Sequence, residues 1–154
     1  MAFHPTKNLV ASCSYDKSVK LWNTDTGAEL WTVKVDNSVA SIAYSPDGSK
    51  LAAAHYKTVS IFNMETNEVL CTVNVDSGVW SVAFSVDGTK LAAGCGSGKI
   101  YFVDPTAGEI KSSLMGHSAI VTSVCFSSDA KQLTSGSDDK TVWNWDLATR
   151  ASLS

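Results

Sequence analysis

The sequence predicts an all-β protein, a β-propeller made of four consecutive four-stranded antiparallel blades that form an open, incomplete ring. Three observations lead to this prediction. The chain repeats itself about every forty residues, each repeat contains short segments of β-branched and aromatic residues between turn signals, and the faces of these segments carry few charges. No segment shows the hydrophobic period of an α-helix.

The repeat is defined by two series of landmarks. Four aligned segments begin with an aromatic residue: "FHPTKNLVAS" from Phe3, "YSPDGSKLAA" from Tyr44, "FSVDGTKLAA" from Phe84 and "FSSDAKQLTS" from Phe126. These aromatic residues are 41, 40 and 42 residues apart. A second aromatic series has steps of 40, 40 and 43 residues, at Trp22, Phe62, Phe102 and Trp145. Two series with one period predict repeats at approximately residues 1–34, 35–74, 75–115 and 116–154.

The order of strand-like and turn-like segments in each repeat predicts a four-stranded meander. In the second repeat, "VASIAYS", "LAAAH", "TVSIFN" and "VLCTVNV" are typical of strands. The segment "PDGSK" predicts a tight turn in which Gly48 takes a positive φ, and "ETNE" predicts another turn. We therefore expect one antiparallel sheet per repeat.

The first strand of each repeat predicts how the sheets pack. Strict alternation along this strand of the third repeat places Val79, Ser81 and Ala83 on one face, and Trp80, Val82 and Phe84 on the other. The first face is small, the second is bulky, and neither is charged. A sheet with one face in water would carry polar residues there. We therefore expect both faces to be buried, as in sheets stacked radially around a propeller axis.

Composition and charge argue against several classes of protein. Charged residues make up 18% of the 154 residues, below the ~25% of typical domains, which fits strand faces covered by protein. The net charge of −3, without a run of Lys or Arg, argues against nucleic-acid binding. The start "MAFHPTKNLV" lacks the pattern of a secretory signal, and the apolar runs are too short to span a membrane. We expect an intracellular protein, in the cytoplasm or nucleus.

The four cysteines contain no C-x-x-C pair, and with three scattered histidines they form no zinc motif. They are Cys13, Cys71, Cys95 and Cys125. Their even number allows two disulfides. Since the aligned repeats place them inside different strands, we interpret them as small buried residues in a reducing compartment. No metal ion or cofactor is predicted.

The segment "GSDDKTVWNWD", Gly136–Asp146, contains three acidic residues and two tryptophans, and His117 precedes it in "GHSAIVTSVCF". This cluster is either a catalytic or metal-binding site or a structural network of hydrogen bonds. The sequence offers His117 no adjacent nucleophile, second base or metal ligand. We therefore interpret His117 as structural.

The fourth repeat resembles the WD40-repeat family in "GH" at Gly116, "FSSD" at Phe126, "TSGSDDKTV" at Thr134 and "WD" at Trp145. The first repeat is similar in "ASCSYDKSVKLWN". The resemblance covers nearly the whole chain and implies a hydrogen-bonded brace within a blade. Its members are His117, Ser135, Asp139 and Trp145, with Asp16 and Trp22 as the matching residues of the first repeat. A buried carboxylate needs donors, which imidazole and hydroxyl groups supply.

The second and third repeats depart from the family pattern. They have "VDNSV" and "VDSGV" in place of Gly-His, and their turns "HYKTV" and "GSGKI" lack the Asp and look one residue shorter. A propeller of another repeat type is therefore the alternative. Four repeats are also fewer than the roughly seven or eight of closed WD40 propellers. We expect either a segment of a longer reading frame or a half-ring that pairs with a copy of itself through its exposed blade faces.

The resemblance implies a non-catalytic scaffold for protein–protein interaction, with proteins or peptides as partners and neither nucleic acid nor membrane. The family's contact positions correspond to Ala40, Trp80, Thr122, Tyr15, Asp138 and, approximately, His55. Trp80 is prominent, because its counterparts Ala40 and Thr122 indicate that the fold needs no large residue there. Asp36 and Asp76 would form an acidic margin.

The alternative function, enzymatic or in small-molecule binding, would depend on a cluster of the aligned acids Asp47, Asp87 and Asp129. These acids recur once per repeat in the same turn, where an Asp side chain bonds its own backbone. We therefore interpret them as turn residues.

Overall fold

The computed structural model describes residues 1–152, whose regular elements are β-strands in four antiparallel sheets, named blades I to IV. Blade I contains β1 (Ala2–Phe3), β2 (Leu9–Cys13), β3 (Ser18–Asn23) and β4 (Glu29–Lys34). Blade II contains β5 (Val39–Tyr44), β6 (Lys50–His55), β7 (Thr58–Asn63) and β8 (Val69–Asn74). Blade III contains β9 (Val79–Phe84), β10 (Leu91–Cys95), β11 (Ile100–Asp104) and β12 (Glu109–Leu114). Blade IV contains β13 (Val121–Phe126), β14 (Gln132–Ser137) and β15 (Val142–Asp146).

The strands of each blade are neighbours in chain order, which is the predicted meander. Beside β15, Ser152 forms an isolated bridge with Trp145, and the rest of the predicted fourth strand, residues 153–154, lies outside the described residues. None of the hydrophobic clusters of residues 1–152 joins blade IV to blade I. The prediction of an all-β, open propeller segment is confirmed. Residues 1–152 contain no helix long and apolar enough to cross a membrane.

Three hydrophobic clusters join consecutive blades. Between blades I and II, the small face of blade I, with Ala11 and Val19, meets Ile42, Leu51 and Phe62 of blade II. The same contact of a small face with a bulky face recurs between blades II and III and between blades III and IV. Burial of apolar area on both faces is the main stabilising term of such a stack.

Serine side chains add polar contacts to this stacking. The first strands of blades II, III and IV lie next to one another. Ser41 Oγ accepts a hydrogen bond from the backbone N–H of Val82, and Ser81 Oγ accepts one from Val124, both at 3.2 Å. The small faces of blades II and III therefore each supply an acceptor to the blade that follows.

A β-bulge in the first strand of blade III changes the predicted faces. The register shifts after the pair Val79–Cys95, so that Trp80 is an extra residue without a partner on β10. Val79 is 2% exposed and packs in the same cluster as Val82. The prediction that Trp80 shares a face with Val82 is therefore wrong. The bulge turns Val79 to that face and leaves Trp80 44% exposed.

The register also corrects the second aromatic series. Trp145 pairs with Leu133 in blade IV, whereas the counterpart of Leu133 in blade III, Leu91, pairs with Val103. Val103 therefore occupies the tryptophan position, and Phe102 lies in the cluster that joins blades III and IV. The turn of blade III is as long as that of blade IV. The prediction that it is one residue shorter is wrong, because it aligned Phe102 with Trp145 on aromatic identity alone.

The aligned acids Asp47, Asp87 and Asp129 each accept a hydrogen bond from a serine hydroxyl of the same turn at 2.6 Å. Each also accepts a backbone N–H at 3.0 Å. These bonds lower the pKa of all three carboxyl groups, to about 2 for Asp47 and Asp87. The three side chains therefore bond their own turns, as their recurrence indicates.

We expect Gly94→Ala to lower the free energy of unfolding by ~1–3 kcal/mol, because added volume in a packed interface forces its neighbours to move. A Cβ at Gly94 would lie 2.7 Å from Val121 Cγ1 and 3.1 Å from Val124 Cγ1 of the next blade. Gly136→Ala is the matched control, since a Cβ there meets nothing within 4 Å. Urea unfolding followed by tryptophan fluorescence measures both variants. Equal stabilities would show that blades III and IV do not approach this closely.

Stability should also fall in the acidic range. A carboxylate whose pKa is lower in the folded than in the unfolded chain stabilises the fold above its unfolded pKa, and this contribution is lost as the pH falls through the folded pKa. For Asp47 and Asp87 the loss lies between the ordinary pKa of 3.8 and about 2.

The double variant Asp47→Asn/Asp87→Asn should flatten the dependence of melting temperature on pH in this window. Glu65→Gln, which removes an exposed carboxylate from another turn, is the control and should leave the dependence steep. Thermal melts at a series of acidic pH values measure all three proteins. Parallel curves for the double variant and the unmodified chain would contradict the prediction.

Candidate functional site

Four side chains of blade IV form one chain of hydrogen bonds. His117 Nδ1 lies 2.8 Å from Asp139 Oδ2, and His117 Nε2 lies 2.8 Å from Ser135 Oγ. The Trp145 Nε1–H donates to the same Ser135 Oγ at 2.8 Å. The structure thus brings together the four residues for which the sequence predicts a brace.

Local packing places His117 in this network. His117, Ser135 and Trp145 are all buried, and the ring of His117 lies 5.3 Å from that of Trp143. Gly116 lets the backbone pass close to both indoles, since a Cβ there would lie 2.5 Å from Trp143 and 2.8 Å from Trp145. The glycine of the Gly-His pair is therefore required by the close approach.

Asp139 is held as an anion by several donors. The Thr141 hydroxyl, His117 and the backbone N–H groups of Ser118 and Thr141 all bond its carboxylate. These bonds, the Thr141 hydroxyl first, lower the pKa of Asp139 well below its ordinary value. The network therefore contains a fixed negative charge next to His117.

The order Asp139, His117, Ser135 is that of a catalytic triad, but the surroundings differ from those of one. A nucleophilic serine must reach its substrate, whereas Ser135 is 1% exposed and already accepts the indole N–H of Trp145. Among residues 1–152, no group of three or more His, Cys, Asp or Glu side chains is arranged to hold a metal ion. The geometry therefore favours a structural network.

Blade I contains part of the same arrangement. Trp22 Nε1 donates to Ser12 Oγ at 2.8 Å, as Trp145 does to Ser135. Ser12 was missed by the sequence analysis, although its alignment with Ser135 was the signal for it. Asp16, which the sequence groups with Trp22, instead bonds Ser18 within its own turn, and its side chain is 57% exposed.

His55 does not lie on an exposed rim, so its prediction as a contact residue is wrong. It ends β6, is 5% exposed, and its Nε2 lies 2.8 Å from Ser60 Oγ. Burial lowers the pKa of His55, and the negative charge of the Asp36 carboxylate offsets part of this shift. The turn of blade II is one residue shorter than that of blade IV, since His55 pairs directly with Thr58. The turn residue that projects outward is Tyr56, which is 61% exposed.

Three exposed aromatic side chains from three blades line one groove of about 400 Å³. Tyr15 of blade I is 75% exposed, Tyr56 of blade II is 61% exposed and Trp80 of blade III is 44% exposed. The remaining lining residues are Asn37, Ser38, Ala40, Gly78 and Val79. Of the predicted contact residues, Tyr15, Ala40 and Trp80 therefore lie together, and Tyr56 joins them.

The other predicted contact residues, Thr122 and Asp138, are exposed on blade IV and do not line this groove. The expected acidic margin differs as well. Asp76 forms an ion pair with Lys99 at 2.6 Å, and Asp36 lines a separate polar cleft beside His55. The groove is therefore aromatic and uncharged.

We expect Ser135→Ala to lower the free energy of unfolding by ~1–3 kcal/mol, because the substitution leaves the buried Trp145 Nε1–H and the buried His117 Nε2 without their hydrogen-bond partner. Ser113→Ala, at an exposed position of β12, is the control. Chemical denaturation measures both variants. If Ser135→Ala unfolds at the same denaturant concentration as the control, the network is not a brace.

The chain matches two protein-family models. The model described as "WD domain, G-beta repeat" matches residues 67–104 and 108–146. The model described as "Anaphase-promoting complex subunit 4 WD40 domain" matches residues 1–82. The matched ranges include strands of all four blades.

Three curated relatives illustrate the similarity. The chain is 29% identical over 155 residues to the 77 kDa echinoderm microtubule-associated protein of Strongylocentrotus purpuratus, a match that covers 97% of the chain and 23% of that protein. It is 30% identical over 165 residues to the probable cytosolic iron-sulfur protein assembly protein 1 of Cryptococcus neoformans, covering 96% of the chain and 36% of that protein. It is 45% identical over 51 residues to the coronin-like protein of Saccharomyces cerevisiae, covering 32% of the chain and 8% of that protein.

The chain therefore spans well under two thirds of the length of these relatives. WD40 repeats generally mediate protein–protein interaction. The matches agree with the stacked antiparallel sheets and with the Gly-His and Trp-Asp pairs of blade IV. This chain belongs to the WD40-repeat family.

Proposed function

We propose that the chain is a non-catalytic scaffold within an intracellular protein complex, and that its aromatic groove binds a peptide or loop of a partner protein. The observation that carries this proposal is the convergence of Tyr15, Tyr56 and Trp80 on one groove. Tyrosine and tryptophan are enriched among the residues that dominate binding energy, because they bury large areas with few rotatable bonds.

The rim of the groove is held by hydrogen bonds between neighbouring blades. The Val79 N–H of blade III donates to Tyr56 O of blade II at 2.7 Å. The Ser38 hydroxyl of blade II donates to Tyr15 O of blade I at 3.1 Å. Since each aromatic turn is tied to the next blade, the groove exists before a partner binds, and binding orders few protein groups.

The indole of Trp80 lies next to two glycines, Gly78 and Gly96. A Cβ built on Gly78 or Gly96 would lie 3.6 or 3.5 Å from Trp80 Nε1, and the Gly96 N–H donates to Gly78 O at 2.7 Å. The indole thus lies across a bridge of two residues without side chains. The indole is 44% exposed, so that part of its ring surface is available to a partner, as expected of a binding anchor.

The chemistry of the groove favours an apolar or aromatic anchor from the partner. Its lining residues are uncharged, and the nearby Asp76 is neutralised by Lys99. Lys57 Nζ already lies 5.7 Å from the ring centre of Tyr56, which opposes a cationic anchor. The absence of Lys and Arg from the lining, with a net charge of −3, supports a protein partner over a nucleic acid.

The names of the relatives support a scaffold without selecting a partner. They refer to microtubule association, to cytosolic iron-sulfur protein assembly and to a coronin-like protein. Because these names refer to different settings, they select no single partner for this chain. They also support an intracellular location.

The test is selection of a peptide-display library on the chain, followed by affinity measurement for the enriched peptides by fluorescence anisotropy. We expect Trp80→Ala to weaken binding by ~30-fold or more, as for a residue that supplies ~2 kcal/mol of binding energy. Tyr56→Ala should also weaken it, because Tyr56 lines the same groove.

Leu30→Ala is the control, since Leu30 is 53% exposed and does not line the groove. Thermal melts of all variants show whether each one is folded. Enriched peptides that bind Trp80→Ala, Tyr56→Ala and the unmodified chain with equal affinity would place the binding surface elsewhere.

A further inference from the structure

The turn of blade II holds Tyr56 in a conformation that its residue type disfavours. Tyr56 and Lys57 form a two-residue loop between the paired residues His55 and Thr58, and Tyr56 has a φ of 53°. This left-handed position of a hairpin favours Gly, Asn or Asp, because a larger side chain crowds the backbone there. The Tyr56 ring is 61% exposed, so the core gives no reason for an aromatic residue. A strained residue that the fold does not need indicates a function of its side chain.

The groove lined by Tyr15, Tyr56 and Trp80 offers more hydrogen-bond donors than acceptors. The backbone carbonyls of Tyr15, Tyr56 and Gly78 each already accept a bond from within the chain, at 3.1, 2.7 and 2.7 Å. Within residues 1–152, the Trp80 indole N–H and the hydroxyls of Tyr15 and Tyr56 form no hydrogen bond. Because an indole N–H can only donate, a ligand must supply the acceptor.

A ligand that matches this lining is apolar, uncharged and rich in acceptors. The lining has no charged side chain, and Lys57 Nζ, 5.7 Å from the ring centre of Tyr56, would repel a second cation. A proline residue has no N–H and keeps its carbonyl as an acceptor. Segments in the polyproline II conformation have no internal hydrogen bonds, so they present these carbonyls outward, and they lose little entropy on binding. Aromatic-lined grooves recognise such segments in several kinds of binding module.

We propose that the groove binds a proline-rich segment of a partner protein in the extended polyproline II conformation. The proline rings pack against the faces of Tyr15, Tyr56 and Trp80, and the carbonyls of the segment accept the indole N–H and the tyrosine hydroxyls. Tyr56 is kept in its left-handed turn for this contact and lowers the stability of blade II. The proposal rests on the proposed binding function of the groove and adds the chemical class of its ligand.

The first test titrates the chain with acetylated decaproline amide and, as a control, with an uncharged Gly-Ser peptide of equal length. NMR follows the indole N–H resonance of Trp80, which is assigned by its absence from the spectrum of Trp80→Phe. Decaproline should shift this resonance, because a new acceptor reaches the N–H, and the Gly-Ser peptide should not. A resonance that moves for neither peptide, or equally for both, would overturn the proposal.

The second test removes the donors one at a time. Trp80→Phe, Tyr15→Phe and Tyr56→Phe keep an aromatic ring at each position and remove its N–H or O–H. Each should weaken decaproline binding by ~3–10-fold, the factor that corresponds to the net contribution of one neutral hydrogen bond. Tyr101→Phe, at a position that does not line the groove, is the matched control and should bind as the unmodified chain does. Full affinity in all three groove variants would show that the donors do not hold the ligand, contrary to the proposal.

The peptides enriched by library selection separate this inference from the proposed function. Both are supported by peptides that depend on Trp80 and Tyr56 and contain prolines whose replacement by alanine weakens binding by ~10-fold or more. Peptides that depend on Trp80 and Tyr56 but contain no proline, or tolerate its replacement, would support the proposed function and overturn this inference. Peptides that bind independently of both residues would overturn both.

Tyr56→Asn measures the strain of the turn without a ligand. Asparagine tolerates the left-handed conformation, so this variant should melt about 2–4 °C above the unmodified chain. Tyr15→Asn is the matched control, because Tyr15 is also exposed but its φ is not positive, and its melting temperature should not rise. A melting temperature of Tyr56→Asn that is no higher than that of the unmodified chain would contradict the inference that Tyr56 is kept for a ligand against the stability of the turn.

Discussion

The fold depends on the packing of the small face of one blade against the bulky face of the next. Ala52 and Ala54 of blade II and Leu91 of blade III are fully buried, although each lies in a sheet that is a single layer thick. A four-stranded sheet alone could not bury these side chains, because it has no second layer of its own. Stability therefore comes from each blade's neighbours, and Ser41 and Ser81 add a directional bond to each of two contacts.

Local signals in the sequence were sufficient for the blades and their order. Turn residues and β-type segments predicted the meander, and two series with one period predicted the stacking. Register was harder, because side chains alternate between faces and an error of one residue moves a side chain to the opposite face. The bulge that removes Trp80 from the Val82 face has no sequence signature in a single chain. The shift from Phe102 to Val103 was hidden because an aromatic residue stands next to the true position.

The same reasoning explains why the candidate site was only partly predicted. The brace is read from residue types at fixed spacing, and His117, Ser135, Asp139 and Trp145 meet as that spacing implies. The groove instead depends on how residues of three different blades come together in the folded chain. Tyr56 was missed because the turn of blade II is one residue shorter than that of blade IV, so that His55 stays in the strand and bonds Ser60. A one-residue change in turn length thus exchanged a buried histidine for an exposed tyrosine.

The bulges explain why the rim can vary without cost to the fold. In blades II, III and IV the register skips one residue, at Ala40, Trp80 and Thr122, and all three are exposed. The residues before them, Val39, Val79 and Val121, are buried and support the stack. A bulge therefore lets one strand pack a buried residue in the core and present the next residue to solvent, because the extra residue has no partner on the neighbouring strand and lies outside the core. The fold does not require a tryptophan at such a position, since Ala40 and Thr122 occupy it in blades II and IV, and we therefore propose the groove rather than the brace as the surface to probe for partners.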